Sequence, residues 1–194
     1  MARLLSELQC RWAFCGAWAL DLFLNRQTRA HKDVDVAILR RDQLALQKYL
    51  TDRGWDLRIA SNGTLSPWPQ GQAIERPLHC IWCRPEKDDR DFMEILLNES
   101  NGGRLRFRRN EAISIEFDAA FLRSVRGHPI LSPQLVLLYK SKEPSEADDA
   151  DLRNVLAALD EKARVWLVKS VVAMYGSNHP WIKLLTDASP ERVL

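Results

Sequence analysis

Residues 15–36 read CGAWALDLFLNRQTRAHKDVDV, and this stretch joins a glycine turn, an apolar segment and two closely spaced carboxylates. Residues 17–24 have apolar side chains at helical spacing, which predicts a helix directly after Gly16. The following DVDVAIL is short and rich in β-branched residues, which predicts a strand. Buried strands disfavour carboxylates, so Asp33 and Asp35 at the start of this strand require an explanation.

The spacing of the two aspartates supplies one. Residues i and i+2 of a strand point to the same face, so Asp33 and Asp35 present their carboxylates side by side. Two like charges at that separation repel, and one stays protonated unless a cation lies between them. Mg²⁺ prefers oxygen ligands and commonly binds one or two carboxylates together with substrate phosphates. The pair therefore indicates a magnesium-phosphate site.

The residues before the aspartates fit the same chemistry. Gly16 and the small Ala17 open the predicted helix, so backbone N–H groups at its N-terminus can face a phosphate. Arg29 and His31 add side-chain donors a few residues before the strand. The alternative is that these two side chains form structural ion pairs, because such networks are common. A phosphate-binding helix N-terminus and a pair of metal-binding carboxylates within about twenty residues indicate phosphoryl or nucleotidyl transfer.

These residues resemble the signature of the DNA-polymerase-β-like nucleotidyltransferase superfamily, in which a glycine turn and a helix precede DxD on a strand. The branch resembled is that of aminoglycoside 2''-adenylyltransferases and lincosamide nucleotidyltransferases, with the pattern GGWAxD and GRxTRxHxDxD. The residues that fit this pattern are Trp18, Ala19, Asp21, Arg26, Thr28, Arg29, His31, Asp33 and Asp35. Two residues depart from it: Ala17 replaces the second glycine of the turn, and Asn25 replaces the glycine before the arginine.

The resemblance implies a Mg²⁺-dependent enzyme that transfers a nucleoside monophosphate, AMP from ATP being expected, to a hydroxyl of a small acceptor. It implies two Mg²⁺ ions held by Asp33, Asp35 and a third carboxylate on a neighbouring strand. Glu94 in FMEILL is the candidate, and Asp91 is the fallback. An outward-facing position on an edge strand is the alternative for Glu94. An antibiotic is one possible acceptor.

The resemblance also assigns the outer phosphates to the helix N-terminus at Gly16 and Ala17, with Arg29 and His31 nearby. Lys140, in LLYKSK, lies on a predicted helix that can reach the triphosphate. The alternative for Lys140 is an exposed helix C-terminus, where a cation is also favourable. RLRFRRN places arginines 104, 106 and 108 on a predicted strand, and we interpret them as a solvated strand edge that discourages aggregation.

The order of the predicted elements indicates an α/β (α+β) fold. Strands and helices alternate up to residue 131, with a hairpin at Asn101, Gly102 and Gly103, and helices follow from Ser132 onward. We therefore expect a nucleotidyltransferase-like mixed sheet flanked by helices over residues 1–131. A helical C-terminal subdomain is expected over residues 132–194.

Composition excludes several classes of protein. The formal net charge of +2 over 194 residues is too small for a general polyanion-binding protein, so nucleic acid is an unlikely partner. No apolar run approaches the roughly 20 residues that span a bilayer, and the first residues lack a signal-peptide pattern, so we expect a cytoplasmic protein without membrane association. The four cysteines, which include the CxxC of HCIWC, are interpreted as free thiols rather than a zinc site.

Two other functions stay open at this point. One is a catalytically weak nucleotidyltransferase-like protein that binds nucleotide or a protein partner, as in a toxin–antitoxin pair, and Ala17 leaves this open. The other is an RNA-binding module, which depends on the arginines of RLRFRRN alone. The acceptor, the nucleobase and the oligomeric state are not predicted.

Overall fold

The computed structural model describes residues 1–86 and 92–187. Within these ranges the helices are α1 Ala2–Leu5, α2 Gly16–Leu24, α3 Gln43–Thr51, α4 Phe117–Ala120, α5 Pro133–Lys140, α6 Glu146–Leu156, α7 Glu161–Tyr175 and α8 Pro180–Asp187. The strands are β1 Trp12–Phe14, β2 Val34–Leu39, β3 Trp55–Ser61, β4 Thr64–Pro67, β5 Cys80–Pro85, β6 Met93–Asn101, β7 Arg104–Arg106, β8 Ser114–Glu116, β9 Phe121–Arg123 and β10 Pro129–Leu131.

One mixed sheet organises the first two thirds of the chain. Its strand order is β4-β3-β5-β6-β2-β1-β10-β9, and β7 and β8 extend from the distal part of β6. The pairs β2–β6 and β1–β10 are parallel, and the other pairs are antiparallel. The predicted fold class, a mixed sheet flanked by helices with a helical C-terminal part, is confirmed.

The parallel pair at the centre of the sheet places the functional strand in the core. Val36 and Ile38 of β2 and Ile95 and Leu97 of β6 are almost completely buried, since every second side chain faces the packed side of the sheet. The residues between them face the other side, and this is the side on which the carboxylates lie. The buried alternation fixes the register, because a slip of one residue would turn the apolar side chains out of the core.

The hairpin predicted at residues 101–103 is present, but the arginine strand after it is not an edge. Gly102 and Gly103 have positive φ and connect β6 to β7. Strand β7 pairs with β6 on one side and with β8 on the other. The interpretation of this strand as a solvated edge is therefore wrong. The guanidinium of Arg104 is ion-paired with Glu116 of β8, and Arg108 lies beyond the end of β7.

Helices α5 to α8 follow the last strand, and α5 connects them to the sheet. Helix α5 packs against α2, α6 and α7, and most of its side chains are buried. Trp181 of α8 is fully buried, and its indole N–H donates a hydrogen bond of 2.6 Å to Asp149 of α6. In the described part of the chain, no helix has the length and apolar character needed to cross a membrane. The boundary between residues 131 and 132 stays a prediction.

The start of α6 is fixed by a capping box. Ser145 Oγ accepts a hydrogen bond from the backbone N–H of Asp148, and the carboxylate of Asp148 accepts from the backbone N–H of Ser145. These bonds satisfy N–H groups that the first helical turn leaves unpaired. They also hold Asp148, which contacts the candidate site, in a defined orientation.

We expect Ser145→Ala to lower the free energy of unfolding by about 1 kcal/mol, because the capping oxygen is lost. Urea unfolding followed by circular dichroism measures the change. Ser66→Ala is the control, since Ser66 is exposed on β4 and its hydroxyl caps no helix. Equal stability of the Ser145→Ala variant and the wild-type protein would contradict the role of the cap.

Candidate active site

Three acidic residues lie where β2 and β6 begin. Asp35 of β2 lies directly opposite Glu94 of β6 in the parallel ladder, so both side chains point to the same face. Asp33 is two residues before Asp35, just ahead of the start of β2, and it is exposed to solvent. Asp35 and Glu94 therefore share one face of two adjacent strands, and Asp33 lines a cavity together with Asp35. Asp91, the fallback for Glu94, lies outside the described residues.

Gly16 makes room for Asp35. Its φ is +57°, and a Cβ built on it would lie 1.9 Å from Asp35 Oδ2, far inside van der Waals contact. The backbone N–H of Cys15 donates a 2.9 Å hydrogen bond to the carbonyl of Asp35, which holds the turn against the strand. A side chain at position 16 would push the carboxylate away, so glycine is required here by close approach as well as by φ.

The crowding of the carboxylates changes the ionisation of Asp35. Burial, followed by the negative charges of Asp33 and Glu94, raises the pKa of Asp35 from 3.8 to about 7, and Lys140 partly opposes the shift. A hydrogen bond between the carboxyl groups of Asp35 and Glu94 contributes in the same direction. Without a cation, the carboxyl group of Asp35 therefore retains its proton up to nearly neutral pH.

Glu94 is oriented by a residue that the sequence did not single out. The indole N–H of Trp82, the partner of Glu94 across the antiparallel β5–β6 ladder, donates a 2.6 Å hydrogen bond to Glu94 Oε1. The ring of Trp82 packs edge-on against Phe92 at a centroid distance of 4.8 Å. Trp82 thus holds Glu94 Oε1 on the sheet face that Glu94 shares with Asp35. An aromatic residue in a short strand usually indicates packing alone, so no pattern in the sequence pointed to this role of Trp82.

The residues present fit Mg²⁺ by their chemistry. They offer carboxylate oxygens, and a divalent cation between Asp35 and Glu94 would remove the repulsion that raises the pKa of Asp35. Over residues 1–86 and 92–187, no three His, Cys, Asp or Glu side chains already converge on one metal-sized point. Asp33 and Glu94 therefore have to turn toward Asp35 for all three to ligate together.

A second network fixes the loop that leads into the DxD strand. Asp21 of α2 is buried, and one of its oxygens accepts hydrogen bonds from the Thr28 hydroxyl at 2.6 Å and from the Thr28 backbone N–H at 3.1 Å. Its other oxygen lies 2.5 Å from His31 Nε2. The imidazole also lies against Trp18, with ring centroids 4.6 Å apart. The Asp, Thr and His of the matched motif are thus the residues that shape this loop.

The two predicted phosphate-binding cations are held by acidic residues of α6. Arg29 makes a two-pronged ion pair with Asp151, with distances of 3.1 and 3.2 Å. Lys140 contacts Asp148 at 2.6 Å and Asp151 at 3.0 Å. The hydrogen bonds that Arg29 donates to Asp151 raise the pKa of Arg29, so Arg29 stays protonated. Lys140 has three N–H donors, two directed to α6, and its charge also acts on Asp35.

One cavity brings the predicted nucleotide-binding residues together. We call it the helix cavity, because it begins at the N-terminus of α2, and its volume is about 270 Å³. Its lining is Gly16, Ala17, Trp18, Arg29, Ala30, His31, Lys32, Asp33, Asp35 and Lys140. His31 Nδ1 is buried and has no hydrogen-bond partner in the described ranges.

A second cavity adjoins the first at Gly16, Asp35 and Lys140, and we call it the sheet cavity. Its volume is also about 270 Å³, and it extends over the carboxylate face of β2 and β6 beneath α5. Its lining is Cys15, Gly16, Asp35, Ala37, His79, Leu96, Leu97, Asn98, Arg108, Arg109, Leu131, Val136, Tyr139 and Lys140. Sequence reasoning missed His79, Asn98, Arg108 and Tyr139. The only signal was FRRN, which we interpreted as part of an edge strand.

A larger cavity of about 410 Å³ lies elsewhere, with Phe23, Ala119 and Trp166 in its lining. None of the three carboxylates lines it. Volume alone therefore does not locate the site, and we place the chemistry where the carboxylates and the cations meet.

We expect Gly16→Ala to destabilise the protein and to weaken Mg²⁺-ATP binding. The left-handed backbone alone costs alanine about 1–2 kcal/mol, and the contact with Asp35 adds to it. Gly127→Ala is the matched control, because Gly127 also has positive φ, +81°, but has no atom within 4 Å of the added Cβ. Thermal unfolding and calorimetric titration compare the two variants. Equal losses in both would show that the space beside Asp35 is unimportant.

We expect the stability of the metal-free protein to fall as pH rises from about 4 to about 7, because folded Asp35 binds its proton more tightly than unfolded Asp35 does. Asp35→Asn should flatten this decline and raise stability at pH 8 by about 1–4 kcal/mol. Unfolding in EDTA at several pH values measures both effects, with Asp118→Asn, an exposed residue of α4, as control. The same pH slope in Asp35→Asn and wild type would refute the raised pKa.

Comparison with known proteins agrees with this geometry. The family model for aminoglycoside-2''-adenylyltransferase matches residues 1–65, which include the glycine turn and both aspartates. No curated protein sequence matches the chain.

Several solved structures share its fold. That of ANT(2'')-Ia in complex with adenylyl-2''-tobramycin superposes with a TM-score of 0.59 at 14% identity, covering 89% of this chain and 93% of that one. The lincomycin-bound lincosamide antibiotic adenylyltransferase LnuA gives 0.56 at 19% identity, covering 79% and 90%. An antigenic nucleotidyltransferase-like protein from Paracoccidioides brasiliensis gives 0.51 at 14% identity, covering 95% and 88%.

The family model matched is that of an adenylyltransferase, and the solved structures that share the fold include two adenylyltransferases. The resemblance seen in the sequence motif is confirmed: the chain has the nucleotidyltransferase fold, and its first 65 residues match the aminoglycoside-2''-adenylyltransferase family.

Proposed function

We propose that the protein transfers a nucleoside monophosphate, AMP from ATP, to a hydroxyl group of a small molecule, with Mg²⁺ bound by Asp33, Asp35 and Glu94. The observation that carries the proposal is the register of the parallel pair, which sets Asp35 opposite Glu94 beside a glycine with no room for a side chain. A carboxylate pair of this kind is costly in a fold that has no use for it, since burial raises the pKa of Asp35 to about 7.

In this reaction the acceptor oxygen bonds to the α-phosphorus as the bond to the pyrophosphate oxygen breaks, and the hydroxyl loses its proton. Bound Mg²⁺ supplies positive charge at the attacking and leaving oxygens. Asp35 lines both cavities, so it lies where the nucleotide and the acceptor have to meet. Glu94 is on the strand farther from the α2 turn, which suits a ligand on the acceptor side.

The helix cavity suits the triphosphate. The N-terminus of α2 offers backbone N–H groups, and Arg29 and Lys140 add positive charge. Both cations are engaged by Asp148 and Asp151. A phosphate oxygen therefore receives the remaining donors of these side chains, and the acidic residues of α6 keep the cations in place. Ala17 lines the same cavity, and its methyl group narrows the approach.

The alternative is a protein that binds nucleotide without turnover. Its support is the engagement of Arg29 and Lys140 within the chain, which reduces the charge available to a triphosphate. The two functions differ in pyrophosphate release, and not in nucleotide affinity. Screening the four ribonucleoside triphosphates by Mg²⁺-dependent thermal stabilisation identifies the preferred base, and pyrophosphate release with candidate acceptors identifies turnover.

We expect Asp33→Asn and Asp35→Asn each to weaken Mg²⁺-dependent ATP binding by at least about tenfold, because a metal ligand is lost. Glu94→Gln should abolish pyrophosphate release but weaken ATP binding less, because Glu94 lies toward the acceptor. Calorimetry with Mg²⁺-ATP and a pyrophosphate assay measure the two effects.

Asp118→Asn is the control for these variants, since Asp118 is an exposed carboxylate outside both cavities. Circular dichroism shows whether each variant folds. Unchanged Mg²⁺-ATP affinity in both folded aspartate variants would refute the metal site. Full pyrophosphate release by the Glu94→Gln variant would remove Glu94 from the site.

A further inference from the structure

We propose that the sheet cavity binds the acceptor through an oxyanion held by Arg108, so that the acceptor is a hydroxyl compound carrying a carboxylate or phosphate group. This inference rests on the proposed function, because it assigns the second substrate of that reaction. It rests on the bonding of Arg108, on the charge of the cavity and on the position of the cavity relative to Asp35.

Arg108 differs from the other half-buried arginines near the site. Arg29 is paired with Asp151, and Arg40 uses its donors on Glu99 and on the carbonyls of Ile74 and Leu78. The guanidinium of Arg108 lines the sheet cavity and has no hydrogen bond or ion pair with any residue in the described ranges. Burial and the charges of Arg109 and Arg40 disfavour its protonated form. A half-buried guanidinium with free donors is the arrangement that binds an oxyanion in two-pronged geometry.

The other basic residues in the lining of the sheet cavity add to the positive charge of Arg108. Arg109 is fixed over the edge of the cavity by a 2.7 Å hydrogen bond to the carbonyl of Tyr139. Burial, followed by the charge of Arg108, lowers the pKa of His79, so His79 is neutral at physiological pH. An anion bound beside Arg108 would raise the pKa of His79 again. Asp35 is the one carboxylate in the described lining, and bound Mg²⁺ would neutralise its negative charge.

This charge distribution excludes a polycationic acceptor. An aminoglycoside carries several ammonium groups, and in the sheet cavity these would meet Arg108, Arg109 and Lys140. The family whose model matches residues 1–65 takes its name from an aminoglycoside acceptor. We expect this chain to use a different acceptor, one that is not an aminoglycoside.

The position of the cavity favours the acceptor over the triphosphate. Its floor is formed by Leu96 and Asn98, which follow Glu94 on the same face of β6. Ala17, Arg29 and His31 line the helix cavity and not the sheet cavity. Tyr139 donates a 3.3 Å hydrogen bond to Asn98 Oδ1, so the inner wall presents polar groups suited to hydroxyls. An acceptor with its anion at Arg108 can then extend a hydroxyl toward Asp35.

The first experiment tests the anion site without ATP or Mg²⁺. Inorganic phosphate and acetate are titrated separately into protein labelled with ¹⁵N at histidine, and the ring signals of the four histidines are followed. We expect saturable shifts at His79, with His128 and His179 unchanged, and the stronger of the two anions indicates whether the acceptor carries phosphate or carboxylate. Arg108→Gln should weaken this binding by about tenfold or more.

Arg106→Gln is the matched control, because Arg106 lies two residues earlier and donates to the carbonyl of Glu111 outside the cavity. It should bind both anions as the wild-type protein does. Shifts confined to His31 would place the anion in the helix cavity and overturn the proposal. Equal affinity in the Arg108→Gln variant and the wild-type protein would overturn it as well.

The second experiment assigns the site to the acceptor. Arg108→Gln should keep Mg²⁺-ATP affinity within about twofold, whereas a tenfold loss would assign the cavity to the triphosphate and overturn the proposal. Pyrophosphate release is then compared for glycerol 3-phosphate, glycerol and 3-amino-1,2-propanediol, which differ in charge. Fastest release with the amine, or with an aminoglycoside, would refute an anionic acceptor. Failure of the wild-type protein to bind Mg²⁺-ATP would reject the proposed function, while the histidine signals would still decide the anion site.

Discussion

Negative charge concentrated on one face of the β2–β6 pair is the constraint on which the site depends. The parallel register sets Asp35 against Glu94, and burial together with the neighbouring carboxylates raises the pKa of Asp35 to about 7. Such a face is unfavourable without a cation, because one of the carboxyl groups has to keep a proton. Several features of the surrounding structure maintain this arrangement: the glycine at position 16, the indole of Trp82 and the ammonium of Lys140.

The C-terminal helices supply charged side chains that form ion pairs at the site. Helix α5 brings Lys140 to the carboxylates, and α6 brings Asp148 and Asp151 to Lys140 and Arg29. Asp151 is almost completely buried yet lies between two cations, which compensates the cost of burying its charge. In the proposed function, these cations are oriented before a phosphate binds, so less side-chain entropy is lost on binding. The helices beyond residue 132 are therefore part of the site and do more than cover the sheet.

The two cavities divide the chemistry at Asp35. The helix cavity has Arg29, which is paired with Asp151, and the sheet cavity has Arg108, whose half-buried guanidinium is unpaired among the described residues. A transferase needs two ligands whose reactive atoms meet at one point, and cavities that share Gly16, Asp35 and Lys140 satisfy that geometry. The fold by itself does not fix the acceptor, because function is determined by the residues of the site and not by the fold.

The turn, the helix and the strand with its aspartates were predictable from the sequence, because each depends on a local pattern. The turns have residues that tolerate positive φ, Gly16 and Asn25. The helix follows from helical periodicity over residues 17–24, and the strand follows from the alternation along β2. It also selected Glu94, since a lone charge within an apolar strand is visible without a structure. The residues that surround these carboxylates are known from the tertiary structure alone. The contacts of Arg29 with Asp151 and of Trp82 with Glu94 join separate elements, and no local pattern specifies them. Arg108 was assigned to an edge strand for the same reason: whether β7 has a neighbour on each side depends on β8, which pairs with it after an intervening loop.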